Sequence, residues 1–380
     1  MAINFPSSPT EGQKFTSGLV VYTFSGGVWN AALLETALPF NYIVNPSFQI
    51  SQENAGNLLA TPAGLFPADQ WSIQTPLSSE VSVQRRLASA APASPNGSPY
   101  IIRMTVITPA TGGTNTRYFG LVQYIEGQRI AANRFGTAGA LPMVLRFWAR
   151  HPSSAGFWGG GIRNGDATRG FAYSYTIQPS QVSQWAEIVI PIPGDTTGTW
   201  AKDNTSGLHV WFTITNNYAS LSSVSGMWAS GNIIAPIGLY EGTSSAGFTY
   251  DLTDFGLYLD PLNTGRAPPW QALDEHTAMV ESCRYWYRME NGRGAVGSAT
   301  LVGRMGAIHP VTMRLPVTYA LVSPVTLHDI GTNNALTSLS TQYSSPAHAE
   351  FECNGTGMTA GRAVLMLTDG AGYVAVNARM

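Results

Sequence analysis

The chain has 380 residues, more than one hydrophobic core usually organises, which favours two or three domains. Hydrophobic residues make up 44% and charged residues only 11%, less than half of the usual charged share of about 25%. The formal net charge is −2, the lysines are confined to Lys14 and Lys202, and the arginines are scattered. Because phosphate binding needs clustered cations, we expect no nucleic-acid partner.

Targeting signals and reactive clusters are also missing from the sequence. There is no apolar run of membrane-spanning length, and residues 1–17 are polar and turn-rich, so we expect no membrane insertion and assembly in the cytoplasm. Cys283 and Cys353 have no CxxC partner and are expected to be two buried thiols, although a single bridge between them stays open. The histidines lack zinc-ligand spacing.

Residues 1–36 form the first predicted part, an N-terminal segment. Within it, Tyr22-Thr-Phe-Ser-Gly-Gly-Val-Trp29 is typical of an aromatic hairpin, since the turn Ser25-Gly26-Gly27 supplies the positive φ angles that a tight hairpin needs.

Residues 37–262 are predicted to form a large β-sandwich. Short alternating runs, rich in β-branched and aromatic residues, are bounded there by Gly, Pro, Asn or Ser. These runs are residues 100–107, 143–150, 187–192 and 208–214. Trp71, Trp148 and Trp211 lie in such patterns and are expected in the core. Many short strands with turn chemistry between them predict an all-β, jelly-roll-like sandwich.

Residues 263–290 are predicted to be a connector with a short helix, and residues 291–380 a smaller C-terminal β-sandwich. The connector begins near Pro268-Pro269, and the helix is expected within 272–287, capped by Asp274 or Thr277. The C-terminal strands are expected at residues 311–317, 348–352, 363–368 and 373–377.

Several stretches in a fixed order resemble structural proteins of tailed bacteriophages, namely tail fibres, appendages and head fibres. The N-terminus, Met1-Ala-Ile-Asn-Phe-Pro-Ser-Ser-Pro-Thr-Glu-Gly-Gln-Lys-Phe15, is similar to the module that opens many such virion proteins. Further along come Asn45-Pro-Ser-Phe48, Phe147-Trp-Ala-Arg150, Cys283-Arg-Tyr285 and Met313-Arg-Leu-Pro316. Pro46 in the first of these stretches, and Gln70 in Ala68-Asp-Gln-Trp71 that follows it, depart from the family pattern.

The resemblance implies a non-enzymatic virion subunit with a carbohydrate-binding-like sandwich, often a homotrimer, that contributes to attachment to a host-surface polysaccharide. Its N-terminus is then expected to dock onto tail, baseplate, portal or capsid proteins through aromatic residues, which are Phe5, Phe15, Tyr22, Phe24 and Trp29. Two alternatives stay open: a capsid decoration protein without a receptor, and a polysaccharide-degrading tailspike enzyme.

Glycan binding needs exposed aromatic faces for the C–H surface of the sugar, beside hydrogen-bonding amides and carboxylates. The Gly-rich stretch Phe157–Asp166 is expected to be a loop on the sandwich, where binding residues concentrate. Two other Ser- and Gly-rich stretches carry aromatic residues. The candidate glycan-binding residues are Trp158, Arg163, Asn164, Asp166, Tyr218 and Trp228.

Catalysis by a glycosidase needs two carboxylates about 5–10 Å apart. The sequence offers Asp251 with Asp254, Asp274 with Glu275, and Asp166 with Glu187, and none of these pairs has a distinguishing motif. Asp251 and Asp254 are also able to ligate a structural Ca²⁺, and the competing interpretation is that they are turn or cap residues. No other cofactor is expected.

Overall fold

The computed structural model is all-β, as predicted. It describes residues 5–17, 20–33, 40–77, 79–88, 93–113, 115–296, 302–322, 325–329, 332–355, 362–367 and 372–380. Residues 1–41 form one compact unit and residues 42–380 another. The four-part division of the chain stays a prediction. No helix in the described ranges has the length and apolarity to cross a membrane.

The N-terminal unit is a three-stranded antiparallel sheet of β1 (Lys14–Ser17), β2 (Val20–Ser25) and β3 (Val28–Leu33). The predicted hairpin joins β2 to β3, and Gly26 and Gly27 take φ angles of 62° and 81°, as a type I′ turn requires. The Glu11 carboxylate accepts hydrogen bonds from the Ser25 hydroxyl at 2.6 Å and from the Gly26 N–H at 3.2 Å, which closes the turn.

The five aromatic residues expected to dock form one cluster in this unit. Phe5 stacks on Trp29 with 5.1 Å between ring centroids and meets the edge of Tyr22 at 4.9 Å. Phe15 and Phe24 pack against Trp29 at 6.2 and 5.4 Å. All five side chains keep part of their surface exposed, so the unit carries an aromatic surface.

The sandwich consists of two facing sheets. The six-stranded sheet has the order β14-β10-β9-β12-β7-β4, and the five-stranded sheet has the order β11-β8-β16-β6-β5. The six strands are β4 (Trp71–Gln74), β7 (Tyr118–Glu126), β9 (Gly156–Asn164), β10 (Arg169–Ile177), β12 (Ser206–Asn216) and β14 (Trp228–Ser230). The five are β5 (Val81–Leu87), β6 (Tyr100–Val106), β8 (Met143–Arg150), β11 (Trp185–Ile192) and β16 (Thr249–Leu259). The short helix α1 (Gly127–Ile130) follows β7, and a small parallel pair, β13 (Ser222–Ser223) with β15 (Ala235–Pro236), precedes β16.

The core lies between the two sheets and is rich in aromatic rings. Phe147 stacks on Phe255 at 4.9 Å, and Trp71 meets Phe255 at 4.7 Å. Trp71 is completely buried, and its indole N–H donates to the Asn45 carbonyl at 3.0 Å, so its polar atom is satisfied as well. Trp148, which was expected in the core, is only partly buried.

The Asn45-Pro-Ser-Phe48 motif forms a buried tight loop at the start of the sandwich. Asn45 and Phe48 both have positive φ angles, 51° and 57°. The Asn45 side-chain amide donates to the carbonyls of Ile50 at 2.8 Å and Asp69 at 3.0 Å, and its oxygen accepts from the Ile50 N–H. Asn tolerates this backbone region because its short polar side chain bonds the neighbouring backbone.

The predicted helix is shorter than expected: α2 spans Glu275–Cys283. Asp274 is its N-cap, since its carboxylate accepts from the Thr277 N–H at 2.9 Å, which confirms the first of the two caps considered. The chain then continues directly into β17 (Trp286–Met289).

The C-terminal strands close into a barrel where a small sandwich was predicted. Its order is β18-β19-β23-β22-β21-β24, and a three-stranded sheet, β17-β25-β20, lies beside it. The strands are β18 (Asn291–Val296), β19 (Val302–Ile308), β20 (Thr318–Val322), β21 (Thr326–Asp329), β22 (Thr332–Ser344), β23 (His348–Gly355), β24 (Ala363–Leu367) and β25 (Tyr373–Asn377). The strand predicted at residues 311–317 is wrong: this stretch has irregular backbone, because Pro310 and Pro316 cannot donate to a ladder. Cys283 and Cys353 are free and buried, as expected.

Three arginines join the sandwich to the C-terminal part within residues 42–380. Arg284 makes a bidentate ion pair with Glu126, and its backbone carbonyl accepts from the Arg314 N–H. The Arg314 guanidinium donates to the carbonyls of Asn204, Ala378 and Arg379. Arg379 pairs with Glu53 at 2.5 Å and lies 3.7 Å from the centroid of Phe66. The stretches Cys283-Arg-Tyr285 and Met313-Arg-Leu-Pro316 therefore supply an interface.

Candidate functional site

The six-stranded sheet has one face toward the core and an outer face with a mixed aromatic and polar character. Successive residues of a strand point to opposite faces, so Trp158, Phe212 and Leu121 point inward while their neighbours point outward. The register places His209 of β12 directly between Tyr124 of β7 and Arg163 of β9. The next outward row places Trp211 beside Val122.

Residues 217–239, here called the strap, include the edge strand β14, and their small parallel pair, β13 and β15, lies over the outer face of β9 and β10. Gly159 and Gly161 make this possible: a Cβ atom on Gly159 would lie 2.8 Å from Pro236, and one on Gly161 would lie 2.5 Å from the Ile233 carbonyl oxygen. The Trp211 side chain is buried in the cluster that the strap and the sheet form together. The glycines of β9 therefore allow close approach of the strap. The outward residue Val122 of β7 is buried in the same cluster, while Tyr118 and Tyr124 on either side of it keep part of their surface exposed.

Arg163 is held at the border between the strap and the sheet. Its Nε donates to Nδ1 of His209 at 3.1 Å, and its Nη1 donates to the side-chain oxygen of Asn232 in the strap. The guanidinium lies 5.2 Å from the centroid of Trp211, in cation–π range. Burial lowers the pKa of Arg163, and the phenols of Tyr124 and Tyr118 oppose that effect.

His209 acts as a neutral acceptor in this arrangement. Burial, followed by the charge of Arg163, lowers its pKa to about 3. Since Nδ1 accepts from Arg163, the single ring proton sits on Nε2 and is donated to the Ser206 hydroxyl at 2.6 Å. The imidazole therefore stays neutral throughout the neutral pH range and fixes the orientation of the guanidinium.

Two tyrosines of β7 reach solvent beside this pair. Tyr124 meets the His209 ring edge-on at 4.5 Å, and Tyr118 lies 5.8 Å from Tyr218 of the strap. Burial raises the pKa of Tyr118 and of Tyr124, and the Arg163 charge lowers both to a smaller extent, so both hydroxyls are neutral donors near a cation. We call the surface formed by Tyr118, Tyr124, Arg163, His209 and Tyr218 the open face. It continues into a cleft of about 300 Å³ lined by Asn216, Asn217 and Tyr218.

The structure brings two of the predicted glycan residues, Arg163 and Tyr218, onto the open face. The Gly-rich loop prediction was wrong, because residues 156–164 form strand β9 in the middle of the sheet. Trp158 is completely buried in the core against His151, with ring centroids 4.4 Å apart. Asn164 is also buried, and its side chain bonds Thr168 and the Thr199 carbonyl.

The remaining two candidates lie elsewhere. Asp166 is exposed in the turn between β9 and β10. Trp228 packs on the core side against Phe135 and Trp200, at 5.5 and 5.4 Å, and its indole N–H donates to the Pro193 carbonyl at 2.7 Å. Trp228 is therefore a packing residue at the end of the sheet.

Tyr118, Tyr124 and His209 are the functional candidates that the sequence did not single out, and Trp211 was expected in the core. Trp211 is buried, as expected, but on the outer face beneath the strap. The available signal was Tyr at both ends of one alternating stretch, Tyr118-Phe-Gly-Leu-Val-Gln-Tyr124, which places both rings on one face.

Asp251 and Asp254 do not fit a calcium site. Both side chains are completely buried. Asp251 accepts from Arg103 at 2.6 and 2.7 Å and from Arg150 at 2.6 Å, so two guanidinium charges repel a cation there. Asp254 accepts from Asn96 and from the Thr253 hydroxyl. The described residues contain no group of three His, Cys, Asp or Glu side chains that would hold a metal ion.

A second cleft, of about 480 Å³, lies between the sandwich and α2 and has two carboxylates on its wall. Glu275 belongs to the first turn of α2, where an acid favours the helix terminus. Glu290 pairs with Arg288 at 3.6 Å. Both acids are exposed and have local structural roles. Tyr100 is the one aromatic residue among the described residues that line this cleft, and Arg85 lies 4.1 Å from its ring centroid, whereas three tyrosines contribute to the open face.

Comparison with known proteins gave similarities of structure alone. The carbohydrate-binding module TmCBM61, solved with β-1,4-galactotriose, is 13% identical with a TM-score of 0.31, over 58% of this chain and 99% of that module. The enzymatically active domain of tailspike protein 4 of bacteriophage CBA120 is 11% identical with a TM-score of 0.31, over 58% of this chain and 21% of that one.

A third similarity is to the CBM22-1–GH10 modules of Clostridium thermocellum xylanase 10B, solved with xylohexaose. They are 7% identical with a TM-score of 0.31, over 62% of this chain and 30% of that one. No family model matches the sequence, and no curated protein matches it. These TM-scores are too low for the similarities to assign a function to this chain.

Proposed function

We propose that this protein is a virion subunit of a tailed bacteriophage that binds a host-surface glycan through the open face without cleaving it. The observation that carries glycan binding is the pairing of partly exposed Tyr118 and Tyr124 with the oriented, charged side chain of Arg163. The virion setting rests on the sequence resemblance, which also implies a homotrimer docked by residues 1–36.

The open face has the chemistry that sugar recognition needs. A tyrosine ring offers an apolar surface to the C–H groups of a sugar, and its hydroxyl offers a hydrogen bond. Tyr118, Tyr124 and Tyr218 provide three such rings. The side-chain amides of Asn216 and Asn217 line the cleft beside Tyr218 and are used to hold the loops around it, through hydrogen bonds to Tyr218 and Arg117. Rigid strands hold the first two rings, so little conformational entropy is lost on binding.

Replacement of a tyrosine on the open face tests the proposal. We expect Tyr124→Ala to weaken retention in native gels containing bacterial surface polysaccharide by about tenfold, because one stacking ring contributes on the order of 1–2 kcal/mol. Tyr343→Ala is the matched control, since Tyr343 is an exposed tyrosine on the barrel, 51% accessible. Release of reducing ends from the same polysaccharides is expected to stay at background.

Equal retention of the Tyr124→Ala variant and the wild type would remove the open face from consideration. A rise in reducing ends that depends on the protein would favour the tailspike alternative, and Glu275 and Glu290 of the second cleft would be its first candidates.

Docking by residues 1–36 is tested separately by deletion. We expect the truncated chain to fold as a β protein with unchanged thermal stability, because the unit at residues 42–380 has its own cores. We expect it to be absent from assembled particles, since the aromatic cluster is lost. Normal incorporation of the truncated chain, measured by immunoblotting of purified particles, would contradict the docking role.

A further inference from the structure

Arg163 is one of four arginines that are at least partly buried and make no ion pair among the described residues, the others being Arg85, Arg86 and Arg314. In the described part of the chain the charge of Arg163 interacts with two phenols and a histidine, and no carboxylate contributes. Most other partly buried guanidinium groups have a carboxylate within ion-pair distance, for example those of Arg103, Arg117, Arg129, Arg150, Arg169 and Arg284. A cation removed from water without a counter-ion is costly, so its retention calls for an explanation.

Two of the other three, Arg85 and Arg314, are explained by backbone carbonyls, whereas the side chain of Arg86 in β5 makes no hydrogen bond to a described residue. The Arg314 guanidinium donates to the carbonyls of Asn204, Ala378 and Arg379. Arg85 donates to the carbonyl of Gln49 at 2.7 Å and more weakly to that of Phe48. Arg85 and Arg314 therefore stabilise the fold through backbone hydrogen bonds. Arg163 donates to no backbone carbonyl among the described residues; its partners are a ring nitrogen and a side-chain amide.

The contacts of Arg163 fix the orientation of its guanidinium and leave some of its N–H donors without a partner in the described part of the protein. Nε donates to His209 and Nη1 donates to Asn232, and the guanidinium makes a cation–π contact with the Trp211 ring. Of the five N–H groups of a guanidinium, these bonds use two. Nη2 makes no hydrogen bond to a described residue and is not among the buried polar atoms that lack a partner, so it reaches solvent. The charge of Arg163 interacts with the phenols of Tyr124 and Tyr118, so the unused donors belong to the open face.

We propose that the ligand of the open face is an acidic glycan, and that Arg163 binds a sugar carboxylate while Tyr124 and Tyr118 contact the adjoining sugars of the chain. This inference rests on the proposed glycan-binding function and specifies its substrate class. A neutral sugar does not require a desolvated cation, whereas a carboxylate matches the planar guanidinium fork and supplies the missing counter-charge. Because His209 is neutral, its hydrogen bond orients the Arg163 guanidinium without supplying a counter-charge in place of the ligand carboxylate.

The test measures binding of the full chain to matched acidic and neutral polymers. The probes are polygalacturonate, alginate and hyaluronan, each beside its own carboxyl-reduced form, with dextran sulfate as a carboxylate-free polyanion. We expect wild-type retention in native gels to favour at least one acidic polymer over its reduced form by about tenfold or more. Arg163→Gln is expected to abolish that preference. Arg266→Gln, which removes the same charge from an exposed connector position, is expected to keep it.

The outcomes separate this inference from the proposed function. Retention of neutral polymers as strongly as acidic ones, unchanged in Arg163→Gln, would overturn the acidic specificity and leave glycan binding intact. Retention of dextran sulfate alone would also overturn it, because any polyanion would then suffice. Binding of no polymer at all would overturn both. Should Arg163→Gln fail to fold, Arg163→Lys decides: it keeps the charge and is expected to keep the acidic preference at lower affinity.

Discussion

Arg284→Ala is expected to lower the free energy of unfolding by about 3–5 kcal/mol, because it leaves a buried carboxylate without its counter-ion. Glu126 is 1% accessible and accepts two hydrogen bonds from Arg284, at 2.8 and 2.9 Å. Arg284 also donates to the Thr312 carbonyl, so the variant loses the hydrogen bonds that connect Glu126 at the end of β7 to the C-terminal part. Urea unfolding at neutral pH, followed by tryptophan fluorescence, measures the loss.

The pH dependence of stability gives a second signature of this ion pair. Burial raises the pKa of Glu126, but hydrogen bonds and the charge of Arg284 outweigh it, and the net pKa lies below the ordinary value. A carboxyl group with a lowered folded-state pKa stabilises the fold above its unfolded pKa, and that contribution is lost as the pH falls through the folded value. Wild-type stability is therefore expected to fall on acidification below about pH 4.5, the ordinary glutamate range. Arg284→Ala is expected to lose this part of the acid sensitivity.

Arg266→Ala is the control, because Arg266 is exposed in the connector. Its effect is expected to stay within about 0.5 kcal/mol. A comparable loss in both variants would mean that the Glu126 pair contributes no more than a surface charge, and the proposed tie between sandwich and barrel would be abandoned.

Local patterns predicted much of the fold correctly. The run Met143–Arg150 is strand β8, the Gly26-Gly27 turn closes a hairpin, and Asp274 caps the connector helix. In each case the decisive interaction lies within a few residues of the pattern: alternation along one strand, two positive φ angles, or a carboxylate three residues from an N–H. Structures of this kind can be predicted from a short stretch of sequence, because all the interacting residues lie within it.

The Gly159-Gly-Gly161 stretch shows where local reading failed. Three glycines are typical of a flexible loop, but here they lie in a central strand whose outer face must admit the strap. The reason is the close approach of Ile233 and Pro236, more than 70 residues later in the chain. The sequence alone does not distinguish a glycine that close packing requires from a glycine that backbone flexibility requires.

The open face could be predicted only in part for a related reason. Its members come from β7, β9, β12 and the strap, and the row Tyr124–His209–Arg163 exists only because these strands pair in this order and register. Arg163 and Tyr218 were found because they stand in stretches of unusual composition. Tyr118 and Tyr124 stand in an ordinary strand pattern, which by itself does not reveal whether the outward face is covered.

Asp251→Ala is expected to destabilise the sandwich by about 3–5 kcal/mol, the second large effect predicted, because it removes the one anion between two partly buried cations. The Asp251 side chain is completely buried, and those of Arg103 and Arg150 are 21% and 13% accessible. The register puts all three residues in one row across β6, β16 and β8. Without the carboxylate, the two guanidinium groups repel each other across adjacent strands and neither has another acid partner among the described residues.

The comparison of Asp251→Ala with Asp251→Asn separates charge from hydrogen bonding, since Asn keeps one acceptor of the same shape; we expect it to be intermediate. Asp166→Ala, at an exposed turn, is the control and is expected to have little effect. Thermal unfolding of the wild type is expected to be the same in Ca²⁺ and in EDTA, because two arginines already satisfy the Asp251 carboxylate. A melting temperature that rises with Ca²⁺ in the wild type, but not in Asp251→Ala, would mean that a cation displaces these arginines.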